Sequence, residues 1–215
     1  VDRVDVLEQD GQQFVRVVDY KSGAKAFRLA DIVNGLNLQM FLYLFNVCAD
    51  GSNPYAGVPA GVLYMHAARS VMTVETKSSA EKDIAGQEDK AFGMNGIVIT
   101  NPDCDIPAAM EHDLAGKYIP VRLKKSGVGG SLASLEQLGL LQRKIEALVA
   151  DMGNALQNGQ IGQHPVQAKD HDKTCEYCDF ASVCAFKKSV TPRTYDDQTD
   201  SAVLAELEKE GESHA

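Results

Sequence analysis

The sequence contains no apolar run long enough to cross a membrane, because a charged or amide residue interrupts each run within about ten residues. It also lacks a secretory signal and an initiator methionine: the chain opens on Val1-Asp2-Arg3, already alternating as a strand does. We therefore expect a cytoplasmic protein with no membrane contact. We also expect the chain to be a piece of a longer protein whose start lies upstream.

An excess of basic residues is absent as well. The chain has 30 acidic and 21 basic residues, a net charge of −9, which argues against a nucleic-acid partner at first. The charge is uneven, however, because residues 195–215 hold seven acidic residues against one lysine. The near-neutral body can still carry a local basic groove, so the charge balance does not decide whether DNA binds. Residues 191–215 are predicted to be a disordered acidic tail, or a contact with another subunit.

Disulfide bonding is not expected either. Five cysteines are an odd number, and three of them cluster as C-x-x-C-x5-C at Cys175, Cys178 and Cys184, which indicates metal binding in a reducing compartment. Zinc and iron–sulfur clusters both require four ligands. His164 or His171 could complete a zinc site, and unliganded thiols are the simpler alternative.

The hydrophobic pattern predicts strands before helices, and hence an α/β or α+β core. Asp10-Gly11 predicts a hairpin, Ser134 with Gln137 predicts a capping box, and residues 74–93 are polar enough for a mobile insertion. The predicted strands are residues 1–7, 14–20, 61–66, 96–100 and 118–123, and the predicted helices are residues 37–50 and 134–156.

One strand carries an unusual polar pair. Asp19 and Lys21 lie two residues apart, so both side chains leave the same face of the strand. Metal-assisted phosphodiester hydrolysis needs carboxylates to hold Mg²⁺ and a cation to orient water and offset phosphate charge. A bare Asp-x-Lys is more often an ion pair at a sheet edge. In the partner strand, Asp2 and Asp5 lie on opposite faces, so only one of them can face Asp19.

A second polar pair lies on the helix that follows. Gln39 and Tyr43 are four residues apart, so they share a helix face within an otherwise apolar stripe. The pair is explained equally by half-buried side chains that hydrogen-bond locally.

Together, the strings D-R-V-D, V-V-D-Y-K-S-G and L-Q-M-F-L-Y resemble the nuclease domains of the RecB family, within the PD-(D/E)XK superfamily. The resemblance implies a restriction-endonuclease-like α/β fold, a mixed sheet with flanking helices, spanning residues 1–190. It implies that Asp2 and Asp19 bind Mg²⁺ or Mn²⁺ with the backbone carbonyl of Tyr20. Lys21 would be the catalytic lysine. Gln39 and Tyr43 would contact the DNA backbone or steady the active-site water. Asp5 matches a recurrent residue of the family, but strand parity turns it away from the metal, so we assign it a structural role.

The cysteine segment, residues 171–188, resembles the end of the AddB (RexB-like) subunits of bacterial AddAB helicase–nucleases. That resemblance implies a [4Fe–4S] cluster on Cys175, Cys178 and Cys184, with a fourth cysteine outside this chain. It also implies an AddA-type helicase–nuclease partner and exonuclease trimming of DNA ends for recombinational repair. Two alternatives stay open: a stand-alone RecB-like or Cas4-like nuclease, and a DNA-end-binding scaffold with a vestigial site.

Overall fold

The computed structural model describes residues 1–23, 25–49, 51–67, 92–169, 175, 178–184 and 192–213. The chain divides into two compact units, each built from two stretches of sequence. The first comprises Val1–Phe27 and Gln39–Gly139, and the second comprises Arg28–Leu38 and Leu140–Ala215. The predicted insertion at residues 74–93 lies almost wholly outside the described residues.

The strands of the first unit are β1 Arg3–Gln9, β2 Gln12–Lys21, β3 Val58–His66, β4 Met94–Thr100, β5 Val121–Lys124, β6 Gly127–Gly130 and β7 Leu132–Ser134. A five-stranded mixed sheet organises this unit, in the order β1-β2-β3-β4-β7. The β1/β2 and β3/β4 pairs are antiparallel, whereas β2/β3 and β4/β7 are parallel. A separate antiparallel hairpin joins β5 and β6.

Local sequence explains how β1 and β2 meet. Asp10 and Gly11 both adopt positive φ values, 52° and 76°, which a tight hairpin turn with the twist of its strands requires. The resulting register places Arg3 opposite Val18 and Asp5 opposite Arg16. The predicted hairpin is therefore confirmed, and the pairing sets which residues of the two strands share a face.

Each face of this sheet is covered by apolar side chains. One face packs Phe14, Val18 and Leu63 against the helix α3 (Ile106–Met110) and the segment that follows it. On the other face, α2 (Gln39–Ala49) packs on β2 and β3 and buries Met40, Phe41 and Leu44. The central strands are thus buried on both sides, as the predicted mixed sheet with flanking helices requires.

The second unit is mainly helical. Its elements are α1 Leu29–Val33, most of α4 Leu135–Gln157, β8 Val166–Ala168, α5 Ala181–Cys184, β9 Arg193–Tyr195 and α6 Asp200–Ser213. The capping box at the start of α4 is confirmed: the Gln137 backbone N–H donates to Ser134 Oγ at 3.1 Å, and the Ser134 N–H donates to Gln137 Oε1 at 2.8 Å. Strands β8 and β9 pair in parallel.

The prediction of a disordered tail beyond residue 190 is wrong. Residues 193–195 form β9, and α6 buries Val203, Leu204 and Leu207, each exposed by less than 10%. The four glutamates of α6 lie on its exposed face, so they do not oppose its packing. This helix packs within the second unit, where it contacts α1.

Among the helices of the described residues, none is both long and apolar enough to span a membrane.

Candidate active site

The end of β2 carries the predicted acid–lysine pair. Asp19 is only 6% exposed, although it is an acid on a central strand, and Lys21 Nζ forms an ion pair with its Oδ2. Val17, fully buried, occupies the same face two residues earlier. The sheet therefore presents one buried carboxylate, with its ammonium partner, at the carboxyl end of the strand.

Asp2 lies where the hairpin register places it, beside the end of β2. Its Oδ2 accepts a hydrogen bond of 2.8 Å from the backbone N–H of Tyr20. On the other edge of β2, the carbonyl of Lys21 accepts from the backbone N–H of Ala67 at 2.8 Å. Because successive residues of a strand direct their backbone groups to opposite edges, the Tyr20 carbonyl is directed to the Asp2 side. Asp2, Asp19 and this carbonyl are the oxygens that strand geometry gathers here.

Asp5 has a structural role, as strand parity predicted. It accepts from Arg3 Nε at 2.6 Å and from Arg16 Nε at 2.7 Å, on the sheet face opposite Asp19. Burial alone would raise the pKa of Asp5, but the hydrogen bonds and charges of the two arginines outweigh burial and lower it. Asp5 is therefore occupied by protein cations.

Asp19 is incompletely satisfied. Apart from the ion pair with Lys21, its buried Oδ2 has no hydrogen-bond partner of acceptable geometry in the described residues. Within that same part of the chain, no group of three or more histidine, cysteine, aspartate or glutamate side chains could enclose a metal ion. Two carboxylates and a carbonyl nevertheless provide oxygen ligands of the kind that a hard cation prefers. Mg²⁺ is commonly held by one or two carboxylates together with waters and substrate phosphates. The residues therefore fit Mg²⁺ or Mn²⁺.

Gln39 and Tyr43 share one face at the start of α2. Gln39 Nε2 donates to Tyr43 Oη at 2.7 Å, which confirms their predicted proximity. Gln39 is exposed and Tyr43 half-buried, so both polar groups are accessible at the surface of the helix. Whether either side chain contacts DNA stays a prediction.

Two residues of the site were missed from the sequence. In the parallel register of β2 and β3, Tyr64 lies beside Asp19 and His66 lies beside Lys21, so all four side chains share one face. Burial and the nearby charge of Asp19 raise the pKa of Tyr64. The string G-V-L-Y-M-H has the alternation that would place Tyr64 and His66 together, but the identity of its neighbouring strand is not a local property.

An aromatic row connects this face to α2. Tyr64 lies 6.4 Å from Phe27 between ring centroids, Phe27 lies 6.2 Å from Phe41, and Phe41 lies 5.9 Å from Phe45. Phe41 is fully buried against the sheet. This row of aromatic rings thus connects α2, which carries Gln39 and Tyr43, to β3, the strand next to Asp19.

The three clustered cysteines lie in the second unit. Cys178 and Cys184 are exposed and Cys175 is half-buried, while several residues between and around them lie outside the described part of the chain. The carbonyl of Cys184 accepts a hydrogen bond from Gln163 Nε2. The iron–sulfur assignment stays a prediction.

Comparison with known proteins supplies an independent line of evidence. The family model of the PD-(D/E)XK nuclease superfamily matches residues 1–185. Proteins named as the B subunit of an ATP-dependent helicase/deoxyribonuclease are similar as well. Those of Bacillus thuringiensis (strain Al Hakam) and Bacillus anthracis are each 32% identical over 98% of the chain, and that of Bacillus mycoides is 31% identical over the same share.

The similarity is confined to a small part of those relatives. The chain spans about 19% of their length. The matched region nevertheless contains Asp2, Asp19, Lys21, Gln39 and Tyr43, so it covers every residue of the candidate nuclease site. The family, the fold class and the AddB resemblance expected from the sequence are all confirmed.

Proposed function

The chain belongs to the PD-(D/E)XK nuclease superfamily, and from that premise we propose that it hydrolyses DNA phosphodiester bonds with the help of Mg²⁺ or Mn²⁺. The observation that carries this proposal is the buried Asp19 paired with Lys21 at the carboxyl end of β2. A buried acid with an unsatisfied oxygen is costly to a fold, so its retention on a central strand indicates a functional demand.

The cation would be held by the carboxylates of Asp2 and Asp19 and by the carbonyl of Tyr20. When bound there, it would polarise the scissile phosphate and lower the pKa of a water. Asp2 Oδ2 already accepts one hydrogen bond, from the Tyr20 N–H, but a carboxylate has further lone pairs to offer a metal. The hydrogen bond keeps Asp2 beside β2, ready for that role.

Lys21 would act on the reacting groups directly. Its ammonium is held by Asp19 on one side and lies over the ring of Tyr64, 5.6 Å from the centroid, on the other. A cation held in place can orient the attacking water and stabilise charge that develops on the phosphate oxygens. Water would attack in line, with no covalent intermediate on the protein.

Gln39 and Tyr43 would hold the DNA backbone. Their hydrogen bond pre-organises the two side chains on the exposed start of α2, and both carry donors suited to phosphate oxygens. Because α2 packs on β2 and β3 through buried apolar residues, that contact would be rigidly placed relative to Asp19.

We further propose that this nuclease site works within a larger helicase–nuclease in the bacterial cytoplasm. An AddA-type partner would unwind broken DNA ends and deliver one strand, which the site trims as an exonuclease for recombinational repair. The names of the similar Bacillus proteins support a helicase and deoxyribonuclease assembly. Cys175, Cys178 and Cys184 would hold a [4Fe–4S] cluster there with a fourth cysteine from outside this chain.

The test compares Asp19→Asn and Lys21→Met with Asp113→Asn and Lys125→Met, matched changes at exposed positions. Each variant is placed in the protein that carries this chain and assayed with its partner on end-labelled DNA, in Mg²⁺ and in EDTA. We expect the two site variants to lose cutting while circular dichroism and unwinding are unchanged, and the controls to cut normally.

Wild-type cutting by either site variant would contradict the proposal, as would unchanged cutting in EDTA. DNA-end binding by the wild type without any cutting would instead favour a scaffold.

A further inference from the structure

Two side chains on the site face carry buried polar atoms that lack hydrogen-bond partners in the described residues: Oδ2 of Asp19 and Nε2 of His66. A buried polar atom without a partner destabilises the folded protein, because it has lost its hydrogen bond to water and gained none in return. Such orphans are uncommon in native structures, and each requires an explanation. These two lie on neighbouring strands and on the same face of the sheet.

The position of His66 is set by the backbone. It is the last residue of β3 and lies in register with Lys21, where both parallel strands reach the same edge of the sheet. The next backbone N–H along the chain, that of Ala67, donates to the carbonyl of Lys21 at 2.8 Å and pins the end of β3 to β2. The imidazole is therefore held beside the lysine and two residues beyond Tyr64.

Resting on the proposed function, we propose that His66 is a further substrate-binding residue, whose Nε2 donates a hydrogen bond to a non-bridging oxygen of the DNA phosphate at this site. Because Nε2 is buried in the free protein and the His66 side chain is half-exposed, the contact requires the imidazole to rotate toward the DNA, where Nε2 gains the partner that it lacks. A phosphate oxygen suits Nε2 because it is an anionic acceptor and because Lys21, in register with His66, supplies the adjacent positive charge.

The first test measures binding without cutting. A fluorescent single strand of about 12 nucleotides is titrated in EDTA with the protein that carries this chain, following anisotropy, for wild type, His66→Leu and His66→Gln. We expect His66→Leu to bind about 10-fold more weakly or worse, because it loses a hydrogen bond to a charged group. His66→Gln should recover most of the affinity, because the glutamine amide nitrogen can reach the position of Nε2.

Stability separates a binding role from a structural one. Because Nε2 is unsatisfied in the free protein, His66→Leu should melt at the same temperature as wild type or higher while binding DNA less well. A histidine that merely packs would show the reverse, a lower melting temperature with unchanged binding by the folded fraction. His112→Gln, at an exposed histidine paired with Asp113, serves as the control and should change neither quantity.

A direct readout comes from the ring nitrogens themselves. In ¹⁵N spectra of the imidazoles, the Nε2 resonance of His66 should move when the oligonucleotide is added, and that of His112 should not. An equal shift produced by inorganic phosphate at the same concentration would contradict a DNA contact and indicate a general anion site.

The two proposals fail in different ways. If the wild-type protein that carries this chain neither binds nor cuts DNA, the proposed function itself is refuted. If the wild type binds and Lys21→Met weakens binding, while His66→Leu binds as the wild type does, only the assignment of His66 is wrong.

Discussion

Nζ of Lys21 lies 5.6 Å from the centroid of the Tyr64 ring, and Tyr64 is itself in register with Asp19, the acid that pairs with the lysine. The lysine is thus held between an acid on its own strand and an aromatic face on the next. A cation over a ring is stabilised by about 0.5–2 kcal/mol, depending on how well it is desolvated. The Tyr64 ring therefore helps to fix the position of the Lys21 ammonium, the candidate catalytic group.

Removing this ring should slow cutting. Tyr64→Leu is expected to lower the single-turnover rate roughly 3- to 30-fold, the kinetic equivalent of the lost cation–ring energy. Tyr64→Phe keeps the aromatic face and should retain most of the rate, and Tyr55→Leu, at an exposed tyrosine, serves as the control. If Tyr64→Phe were as slow as Tyr64→Leu, the hydroxyl and not the ring would be responsible.

Glu111 should stabilise the first unit through its charge. This carboxylate is 8% exposed and accepts backbone N–H groups from Lys117, Tyr118 and Ile119 at 2.9, 2.9 and 3.1 Å. Glu111→Gln puts amide hydrogens against those donors and is expected to lower the free energy of unfolding by about 1–3 kcal/mol. Urea denaturation measures the change, with the exposed Glu8→Gln as the matched control.

The same residue predicts a pH dependence. Burial would raise the pKa of Glu111, but the backbone hydrogen bonds outweigh it and hold the pKa below its ordinary value of 4.5. A depressed pKa in the folded state stabilises the fold at pH values above the unfolded-state pKa, and that contribution is lost as the pH falls through the folded pKa. The stability gap between wild type and Glu111→Gln should therefore shrink below pH 4.5. A gap that widened on acidification would contradict this account.

The carboxyl-terminal helix α6 should be essential to the stability of the second unit. Leu204 is 3% exposed, and Asp200 Oδ1 accepts a hydrogen bond of 2.8 Å from the backbone N–H of Leu29. Leu204→Ala is expected to lower the free energy of unfolding by about 2–5 kcal/mol, whereas Glu212→Ala on the exposed face should change it by less than about 0.5 kcal/mol. A disordered tail would show no difference between these variants in thermal or urea denaturation.

Tyr195 should contribute in the same unit. Its hydroxyl donates to Oδ1 of the buried Asp31 at 2.7 Å, and burial together with that carboxylate raises the pKa of Tyr195. Tyr195→Phe leaves one oxygen of the acid without this donor, so we expect a loss of about 1–3 kcal/mol. Tyr55→Phe, at an exposed hydroxyl, should be neutral in the same denaturation experiment, and an equal effect of both changes would contradict the assignment.

The isolated chain should not hold an intact [4Fe–4S] cluster. Its remaining cysteines are poor candidates for a fourth ligand: burial raises the pKa of Cys48 to about 11, and the buried Cys104 donates to Gln9 Oε1 at 3.1 Å. We expect iron below one cluster per chain after anaerobic reconstitution, measured by iron analysis and visible absorbance, and rapid reaction of Cys178 and Cys184 with a thiol reagent. Stoichiometric iron would overturn this prediction.

The features that could be predicted from the sequence were those determined by residues that lie close together in the chain. Asp10-Gly11 specifies a tight turn, the turn specifies the β1/β2 register, and the register places Asp2 beside Asp19 while turning Asp5 away. The capping box of α4 follows in the same way from residues three apart. Within such short segments, turn geometry and side-chain alternation leave few alternatives.

The tertiary structure decided what depends on distant segments. The parallel pairing of β2 with β3 joins strands separated by 36 residues, and only that pairing brings Tyr64 and His66 to the site. The many acidic residues of α6 suggested disorder. The helix is nevertheless ordered, because three of its apolar side chains are buried in the second unit. The acid–lysine pair of Asp19 and Lys21 could therefore be recognised from the sequence. The positions of Tyr64, His66 and α6 depend on long-range contacts, which local residue patterns do not encode.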